Sequence, residues 1–348
     1  MDLKGRIDHS LGAIRAHDWW DHKLPVLLFP AYATTFVYGI PLYAVAPYCL
    51  FLLMALAVGA AYVSLINDIT DIDEDLAIGK PNRMAKIHRN VRWMFPIVCI
   101  ALGVIAMVLL KMDTISIIFY SMSWLVFSLY SLRPFRWKTK GVLGVLCDAS
   151  GAHMFPSLLM VTMVCHVANV QINYTWLISV AIWSFAFGLR GILWHQFMDK
   201  ANDIQTNTRT FASKVDTAGF RPVATIIVIT ELVAFAVVLV YISQPILFFL
   251  LPVYFALVGI RFKKYEQYPI FILAPQNKPW QITMLDFYQF FLPVGLLVSA
   301  AYTQPWAWVV LVIHTLLFHK IAFIAIRDFS MTVRWGYFKL LVAIKRIA

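Results

Sequence analysis

The chain has 348 residues, 61% of them hydrophobic and only 14% charged, with a mean hydropathy of +0.74 and a formal net charge of +11. A soluble globular domain does not carry that balance. The positive charge is confined to short segments between apolar runs, which excludes a nucleic-acid partner and predicts a polytopic membrane protein.

Residues 1–24 lack the continuous apolar core of a signal peptide. Leu3, Ile7, Leu11 and Ile14 recur at helical spacing before Trp19 and Trp20, so an interfacial helix is expected there. A membrane domain over 25–326 follows, with ten expected spans near 25–43, 47–66, 94–110, 114–132, 142–165, 174–194, 222–242, 245–260, 287–303 and 306–326. Residues 327–348 read as a basic cytoplasmic tail.

Lysines and arginines gather in alternate loops. Lys80, Arg83, Lys86, Arg89 and Arg92 follow the second span; Arg133, Arg136, Lys138 and Lys140 the fourth; Lys200, Arg209, Lys214 and Arg221 the sixth; Arg261, Lys263, Lys264 and Lys278 the eighth. The opposite loops hold only Lys111. Basic loops stay on the cytoplasmic side, so both termini are expected there, with a bacterial inner membrane as the setting. Cys49, Cys99, Cys147 and Cys165 all fall inside expected spans without CxxC spacing, and read as small buried hydrophobes. The stretch Tyr265 to Pro279 reads as a long polar loop.

The second span runs into Asn67-Asp68-Ile69-Thr70-Asp71-Ile72-Asp73-Glu74-Asp75, and the sixth into Asp199 and Asp203. An even number of crossings separates them, so both clusters should emerge on one face. The recurrence of span, acids and cations also suggests a weak internal duplication. If helix continues through 67–75, then Asp68, Asp71 and Asp75 lie at i, i+3 and i+7, and Asn67 lies one turn before Asp71. All four then share one face. Stacked carboxylates repel unless a cation neutralises them, and hard cations such as Mg²⁺ take oxygen ligands together with substrate phosphates. An EF-hand loop starting at Asp71 fails, because Leu76 and Asn82 stand where Gly and Glu are required. A solvated acidic loop explains either cluster alone, but not two clusters on one side, each followed by cations.

Lys80, Arg83, Arg190, Lys200 and Arg209 flank the acids. A site with both a divalent ion and several Lys or Arg suits a polyanion such as a diphosphate. Arg190 lies inside the sixth span, where an unpaired guanidinium is costly; simple snorkelling is the plainer explanation for it. Asp148 and Glu231, in the fifth and seventh spans, are either acceptor-side polar groups or structural partners of Ser, Thr, Tyr or His. His153, His195, His314 and His319 follow no metal-ligand spacing.

At this point the residues match a family. Asn67-Asp68-x-x-Asp71-x-x-x-Asp75 and Asp199-x-x-x-Asp203 resemble the paired aspartate motifs of the UbiA-type intramembrane prenyltransferases. Tyr130-Ser131-Leu132-Arg133-Pro134-Phe135-Arg136-Trp137-Lys138 resembles their basic loop after the fourth helix, and Lys80-Pro81-Asn82-Arg83 their basic element after the first motif. The resemblance runs from about residue 15 to 260. It implies an all-α integral membrane protein of nine to ten transmembrane helices around a central cavity with a polar cytoplasmic mouth. It further implies Mg²⁺ bridging Asn67, Asp68, Asp71, Asp75, Asp199 and Asp203 to the diphosphate of an isoprenoid donor. Lys80, Arg83, Tyr130, Arg133, Arg136, Lys138, Arg190, Lys200 and Arg209 would contact that donor, and the acceptor is not identified. A tenth span, Asn207 in place of a frequent glycine and Met84 in place of a frequent proline depart from the family pattern. The implied activity is transfer of a prenyl group with diphosphate as leaving group. Two alternatives share the residues: a phosphoribosyltransferase acting on a polyprenyl phosphate, and a cation transporter. Transporter acids belong near mid-membrane, whereas these lie at span ends.

Overall fold

The structure is a computed structural model and describes residues 15–206, 208–275 and 277–347. Leu3, Ile7, Leu11, Ile14 and Asn207 lie outside the described residues. The chain divides into two compact units. The first holds the described residues up to Ser243 together with Phe271–Leu273; the second holds Gln244–Ile270 and the described residues from Ala274 onward.

The fold is helical apart from one pair of three-residue strands. In the first unit the helices are α1 (Ala16–Tyr38), α2 (Leu42–Thr70), α3 (Ile72–Ala77), α4 (Arg89–Arg92), α5 (Met94–Leu109), α6 (Thr114–Ser131), α7 (Val142–Ala149), α8 (Phe155–Val167), α9 (Tyr174–Met198), α10 (Lys200–Gln205), α11 (Phe211–Lys214) and α12 (Arg221–Ile242). Seven helices of the described chain are long and apolar enough to cross a membrane, or eight if one bent pair counts as a span. The protein is therefore an integral membrane protein. Every expected span falls on a helix, but not every one is a full crossing. Helix α1 starts well before residue 25, and its polar first turns with His22 and Lys23 dilute the apolar run.

Local chemistry sets the ends. Gly39 closes α1 in the left-handed region at φ 65°, which a glycine adopts without strain. Asn173 caps α9 by accepting from the Trp176 amide at 3.1 Å. Pro25, Pro30 and Pro47 sit within α1 and α2; the Thr34 hydroxyl donates to the Pro30 carbonyl at 2.6 Å, which satisfies a buried hydroxyl within its own helix. Interhelical polar contacts are few and specific: Tyr62 with Ser128 at 2.7 Å, Ser116 with Thr162 at 2.8 Å, and Trp176 Nε1 to Thr34 at 3.1 Å.

Helix α7 is central to the first unit, packing on α6, α9 and α11. Two glycines make that possible. A Cβ on Gly188 would lie 2.7 Å from the Ala149 carbonyl oxygen, so α9 and α7 touch backbone to backbone. A Cβ on Gly144 would meet the Trp137 carbonyl and Lys138 backbone at 2.9 Å, so the basic segment before α7 lies flat against it. A five-residue π turn, Ser150–Met154, joins α7 to α8. Phe271–Leu273 also pack into this unit, against Val145, Ile192, Leu193 and Phe220. The supposedly polar loop thus has an apolar tip, because Phe271, Ile272 and Leu273 bury what its flanks leave in water.

The second unit contains α13 (Pro245–Tyr265), the parallel strands β1 (Tyr268–Ile270) and β2 (Trp280–Ile282), a π turn (Phe287–Phe291) leading into α14 (Leu292–Thr303), α15 (Ala307–Leu317) and α16 (His319–Ile347). Tyr254, Phe287 and Phe291 form its aromatic centre, and the Tyr254 hydroxyl accepts from the Met284 amide at 2.7 Å. The continuous span expected over 306–326 is not formed. The helix breaks at Phe318 and turns by 91°, and the segment read as a tail from 327 is part of the long helix α16. The reason lies in the charges Lys320, Arg327 and Asp328, which cannot follow α15 into hydrocarbon.

Candidate functional site

The first acidic cluster is helix interrupted by a single residue, not continuous helix. Asp71 has φ −107° and ψ 7° and stands between α2 and α3. Its amide still bonds the Asn67 carbonyl at 3.0 Å, and the Asp75 amide bonds the Asp71 carbonyl at 2.8 Å. The i+4 register from Asn67 to Asp71 and on to Asp75 therefore survives the break. Asn67 Oδ1 accepts a hydrogen bond from the Ser131 hydroxyl. Asn82, buried at 6% exposure, donates from its amide to Asp75 Oδ2 at 2.9 Å and to the Asp68 carbonyl at 2.8 Å. Its own carbonyl accepts from the Met84 amide at 2.9 Å. The residue that spoils an EF-hand pattern is thus the clasp of the cluster.

Cations surround these acids. Arg15 lies 3.6 Å and Arg83 4.0 Å from Asp68, and Lys80 lies 3.3 Å from Asp75. Arg136 reaches Asp71 at 3.1 Å and also pairs with Glu74, while Lys138 pairs with Asp71. Arg136 Nε is buried without a hydrogen-bond partner. Burial pulls the Lys138 ammonium below its usual range, more than Asp71 restores it. For Arg136 burial acts in the same direction, but Glu74 and Asp71 together outweigh it and hold the guanidinium charged. Arg15 and Glu74 belong to this constellation although neither stood among the sequence candidates; both lie outside the spaced motif that drew attention.

The second cluster repeats the first. Asp199, at φ −88° and ψ 1°, interrupts helix between α9 and α10. Its amide bonds the His195 carbonyl at 2.9 Å, and the Asp203 amide bonds the Asp199 carbonyl at 2.9 Å. Lys80, five residues after Asp75, donates its amide to the Asp75 carbonyl at 2.8 Å; Thr208, five residues after Asp203, does the same at 2.8 Å. Thr210 hydroxyl bonds Asp203 Oδ2 at 2.7 Å, at the interval by which Asn82 follows Asp75. Gln196 Oε1 accepts from the Phe211 and Ala212 amides at 3.1 and 3.3 Å. The duplication suspected from the sequence is therefore a shared break-and-clasp geometry.

The clusters differ in charge. Asp199 is exposed, and no ion pair reaches Asp199 or Asp203 among the described residues. Burial raises the Asp203 carboxyl above the usual range, Thr210 opposes this, and Asp199 adds to it. Lys200 turns away to the Val215 carbonyl at 2.8 Å and Thr217 at 3.3 Å. Arg133 and Arg209 are exposed and form no ion pair among the described residues.

Tyr130, on the last turn of α6, lies near both clusters, its hydroxyl within range of the charges of Asp71, Asp203 and Asp148. Asp148 in turn interacts with Lys23 and His195, and His153 with Lys23 and Arg190. Tyr130, Lys23, Asp148 and His195 thus draw α6, α1, α7 and α9 to one polar locus next to the acids.

Arg190 does not belong to the cation ring. It is 1% exposed and its Nε and Nη2 form a two-pronged pair with Glu231 at 2.6 and 2.8 Å. Phe187 and Phe271 lie against the guanidinium at 5.3 and 5.9 Å. Nine residues before Asp199, it stands about 13 Å away along the helix. It neither snorkels nor faces the acids, and it answers the sequence question about Glu231, whose partner is an arginine.

Among the described residues, no three His, Cys, Asp or Glu side chains already converge on one point as a metal site. The donor set is nonetheless all oxygen, part-buried and rich in carboxylate, as a hard divalent ion requires.

No protein-family model and no curated protein matches the sequence. Solved structures do. A UbiA homolog from Archaeoglobus fulgidus bound to DMAPP and Mg²⁺ superposes with a TM-score of 0.54 at 15% identity, covering 84% of this chain and 98% of that one. The same homolog bound to GPP and Mg²⁺ gives 0.55 at 16% identity, covering 84% of this chain and 96% of that one. A structure described for digeranylgeranylglyceryl phosphate synthase gives 0.53 at 13% identity, covering 86% and 99%. The chain has the fold of the UbiA homologs.

Proposed function

We propose that the protein is a Mg²⁺-dependent intramembrane prenyltransferase, which ionises an isoprenoid diphosphate and passes the prenyl group to an acceptor. The observation that carries this reading is the geometry repeated at both clusters: helix breaks at Asp71 and at Asp199, and Asn82 and Thr210 hold Asp75 and Asp203 at the same interval. Support also comes from the solved UbiA homologs, whose bound DMAPP and GPP are isoprenoid diphosphates. Both clusters and both termini are placed by this reading on the cytoplasmic face of a bacterial inner membrane; Arg15, just before α1, is paired with Asp68.

Asn67, Asp68, Asp71, Asp75, Asp199 and Asp203 would hold Mg²⁺, which when bound neutralises the diphosphate and eases departure of the leaving group. Lys80, Arg83, Arg15, Arg136 and Lys138 take the phosphate oxygens, with Arg136 offering its unpartnered Nε. Arg133 and Arg209 stand exposed at the rim, where they draw the anion in. Lys200 stays with the loop it staples. Asn82 and Thr210 fix the orientation of Asp75 and Asp203. The allylic C–O bond breaks toward the diphosphate, and apolar side chains hold the hydrocarbon tail and keep water from the cation. The acceptor attacks, and Asp148 receives the proton it releases.

Purified protein supplied with geranyl diphosphate, Mg²⁺ and a membrane lipid extract as the source of acceptor should release diphosphate. EDTA should stop the release and added Mg²⁺ restore it. Asp71→Ala and Asp199→Ala should each abolish it in protein that remains folded. Release only from phosphoribosyl diphosphate would select the phosphoribosyltransferase alternative. Full activity in both variants would remove the metal assignment.

A further inference from the structure

The described chain ends in a 29-residue helix, α16, that meets α15 at 91°. We infer that α16 is an in-plane membrane-surface helix that binds anionic phospholipid headgroups. Nothing in the prenyltransferase reading requires or supplies this surface.

The charges on α16 are one-sided. At 3.6 residues per turn, Lys320, Arg327, Asp328, Arg334 and Lys339 fall within an arc of about 140°. Ile326, Phe329, Val333, Tyr337 and Ile344 follow a separate stripe at helical intervals, and they are 60%, 45%, 53%, 63% and 54% exposed. Only the first turns pack on their own unit, through Ile321, Ala322 and Ala325. Asp328 fixes the roll of the helix: Arg261 donates to it at 2.9 Å while also pairing with Asp286.

Depth agrees with this placement. Tyr302 at the end of α14, and Trp306 and Trp308 at the start of α15, are 93%, 66% and 54% exposed, as belt aromatics at one interface would be. The eleven residues of α15 rise about 16 Å. An amphipathic helix seated about 5–10 Å below the opposite headgroups then accounts for most of a ~30 Å hydrocarbon core. The lipid-facing side of α15, with Val312, Ile313 and Leu316 exposed, continues across the bend into Phe323 and Ile326. Among the described side chains, that arc carries four cations against one acid, with Ile324, Met331 and Phe338 between them, and the excess of cations selects anionic lipid over zwitterionic lipid.

The test uses the full chain, one copy per nanodisc, with single cysteines bearing an environment-sensitive fluorophore. Cys49, Cys99, Cys147 and Cys165 are buried and do not compete for the label. Labels at Val333→Cys and Tyr337→Cys should be quenched by shallow nitroxide lipid and shielded from aqueous iodide, with Lys339→Cys showing the reverse. Raising the phosphatidylglycerol fraction should deepen that shielding. Arg327→Gln combined with Arg334→Gln should reduce the dependence on phosphatidylglycerol, roughly fivefold per cation removed. Equal iodide access at positions 333, 337 and 339 would overturn the proposal. So would shielding that arises only when two copies share a disc, which would assign the stripe to self-association. Retained diphosphate release in the labelled proteins reports on the prenyltransferase reading separately.

Discussion

Removing Glu231 should damage the protein more than removing Arg190, and neither loss should act first on donor binding. The two side chains are each 1% exposed and joined by two short bonds inside the first unit. Breaking a buried pair by deleting one partner typically costs about 3–5 kcal/mol, because the survivor's charge is left uncompensated. The survivors differ in their escape routes. A carboxylate stranded by Arg190→Met can take a proton, which at neutral pH limits its penalty to about 4 kcal/mol. A guanidinium stranded by Glu231→Gln has no comparable route, since an arginine does not give up its proton inside a protein. Arg190→Met with Glu231→Leu removes both charges and should regain much of the single-variant loss. Thermal unfolding in detergent, read alongside binding of a non-hydrolysable geranyl diphosphate analogue, separates stability from affinity. Arg190→Met with unchanged unfolding and donor affinity weakened tenfold would refute the argument and return Arg190 to the phosphate site.

Asn82→Ala strands the Met84 and Ala85 amides and frees Asp75, and should cost roughly 2–4 kcal/mol of stability; Asn82→Asp restores the acceptor for the two amides but loses the donor to Asp75 and sets a carboxylate against it, so it should recover only part of the loss; chemical denaturation in micelles measures both. Arg136→Met and Lys138→Met should each raise the dissociation constant for the diphosphate analogue by roughly tenfold or more, whereas unchanged isotherms in both would exclude them from donor contact. Asp148→Asn should leave that isotherm intact and lower prenyl transfer to a membrane lipid extract, followed with radiolabelled geranyl diphosphate; loss of analogue binding instead would make Asp148 part of the donor site.

Helical class, the positions of the apolar segments and the two aspartate motifs were legible because each rests on local periodicity. Asp68, Asp71 and Asp75 needed only a helical repeat to share a face, and the break at Asp71 keeps the hydrogen-bond register that the repeat assumes. What escaped the sequence depends on long-range partners. Arg190 was a lone cation in an apolar span; its assignment turned on Glu231, 41 residues away. Arg15 belongs to no spaced motif, and it enters the site only because the start of α1 lies beside Asp68. Crossing number also resisted, because α1 and α15 are diluted or shortened by polar residues whose depth no hydropathy window resolves. One signal was available and unused: Asn82 and Thr210 each follow the last aspartate of their motif by seven residues, a match that appears once the two segments are aligned on Asp75 and Asp203.

The same alignment explains why a duplicated geometry need not do duplicated work. In the first cluster every aspartate of the motif already has a cationic neighbour: Arg15 and Arg83 at Asp68, Arg136 and Lys138 at Asp71, Lys80 at Asp75. In the second, Lys200 is committed to a loop carbonyl and Asp199 is left exposed. A metal ion approaching the second cluster meets uncompensated negative charge, whereas at the first it competes with protein cations that an incoming diphosphate can draw away. On the proposed function, donor and metal should therefore favour each other's binding: a diphosphate would relieve the carboxylates of Arg136 and Lys138, and the freed carboxylates would then hold the metal more tightly. Reciprocity makes this measurable. Mg²⁺ affinity should rise in the presence of the diphosphate analogue by the same factor as analogue affinity rises with Mg²⁺, and Lys138→Met should shrink both factors together. Equal and independent affinities in the unmodified protein would show that the cations around Asp71 are structural ballast, not phosphate ligands held in reserve.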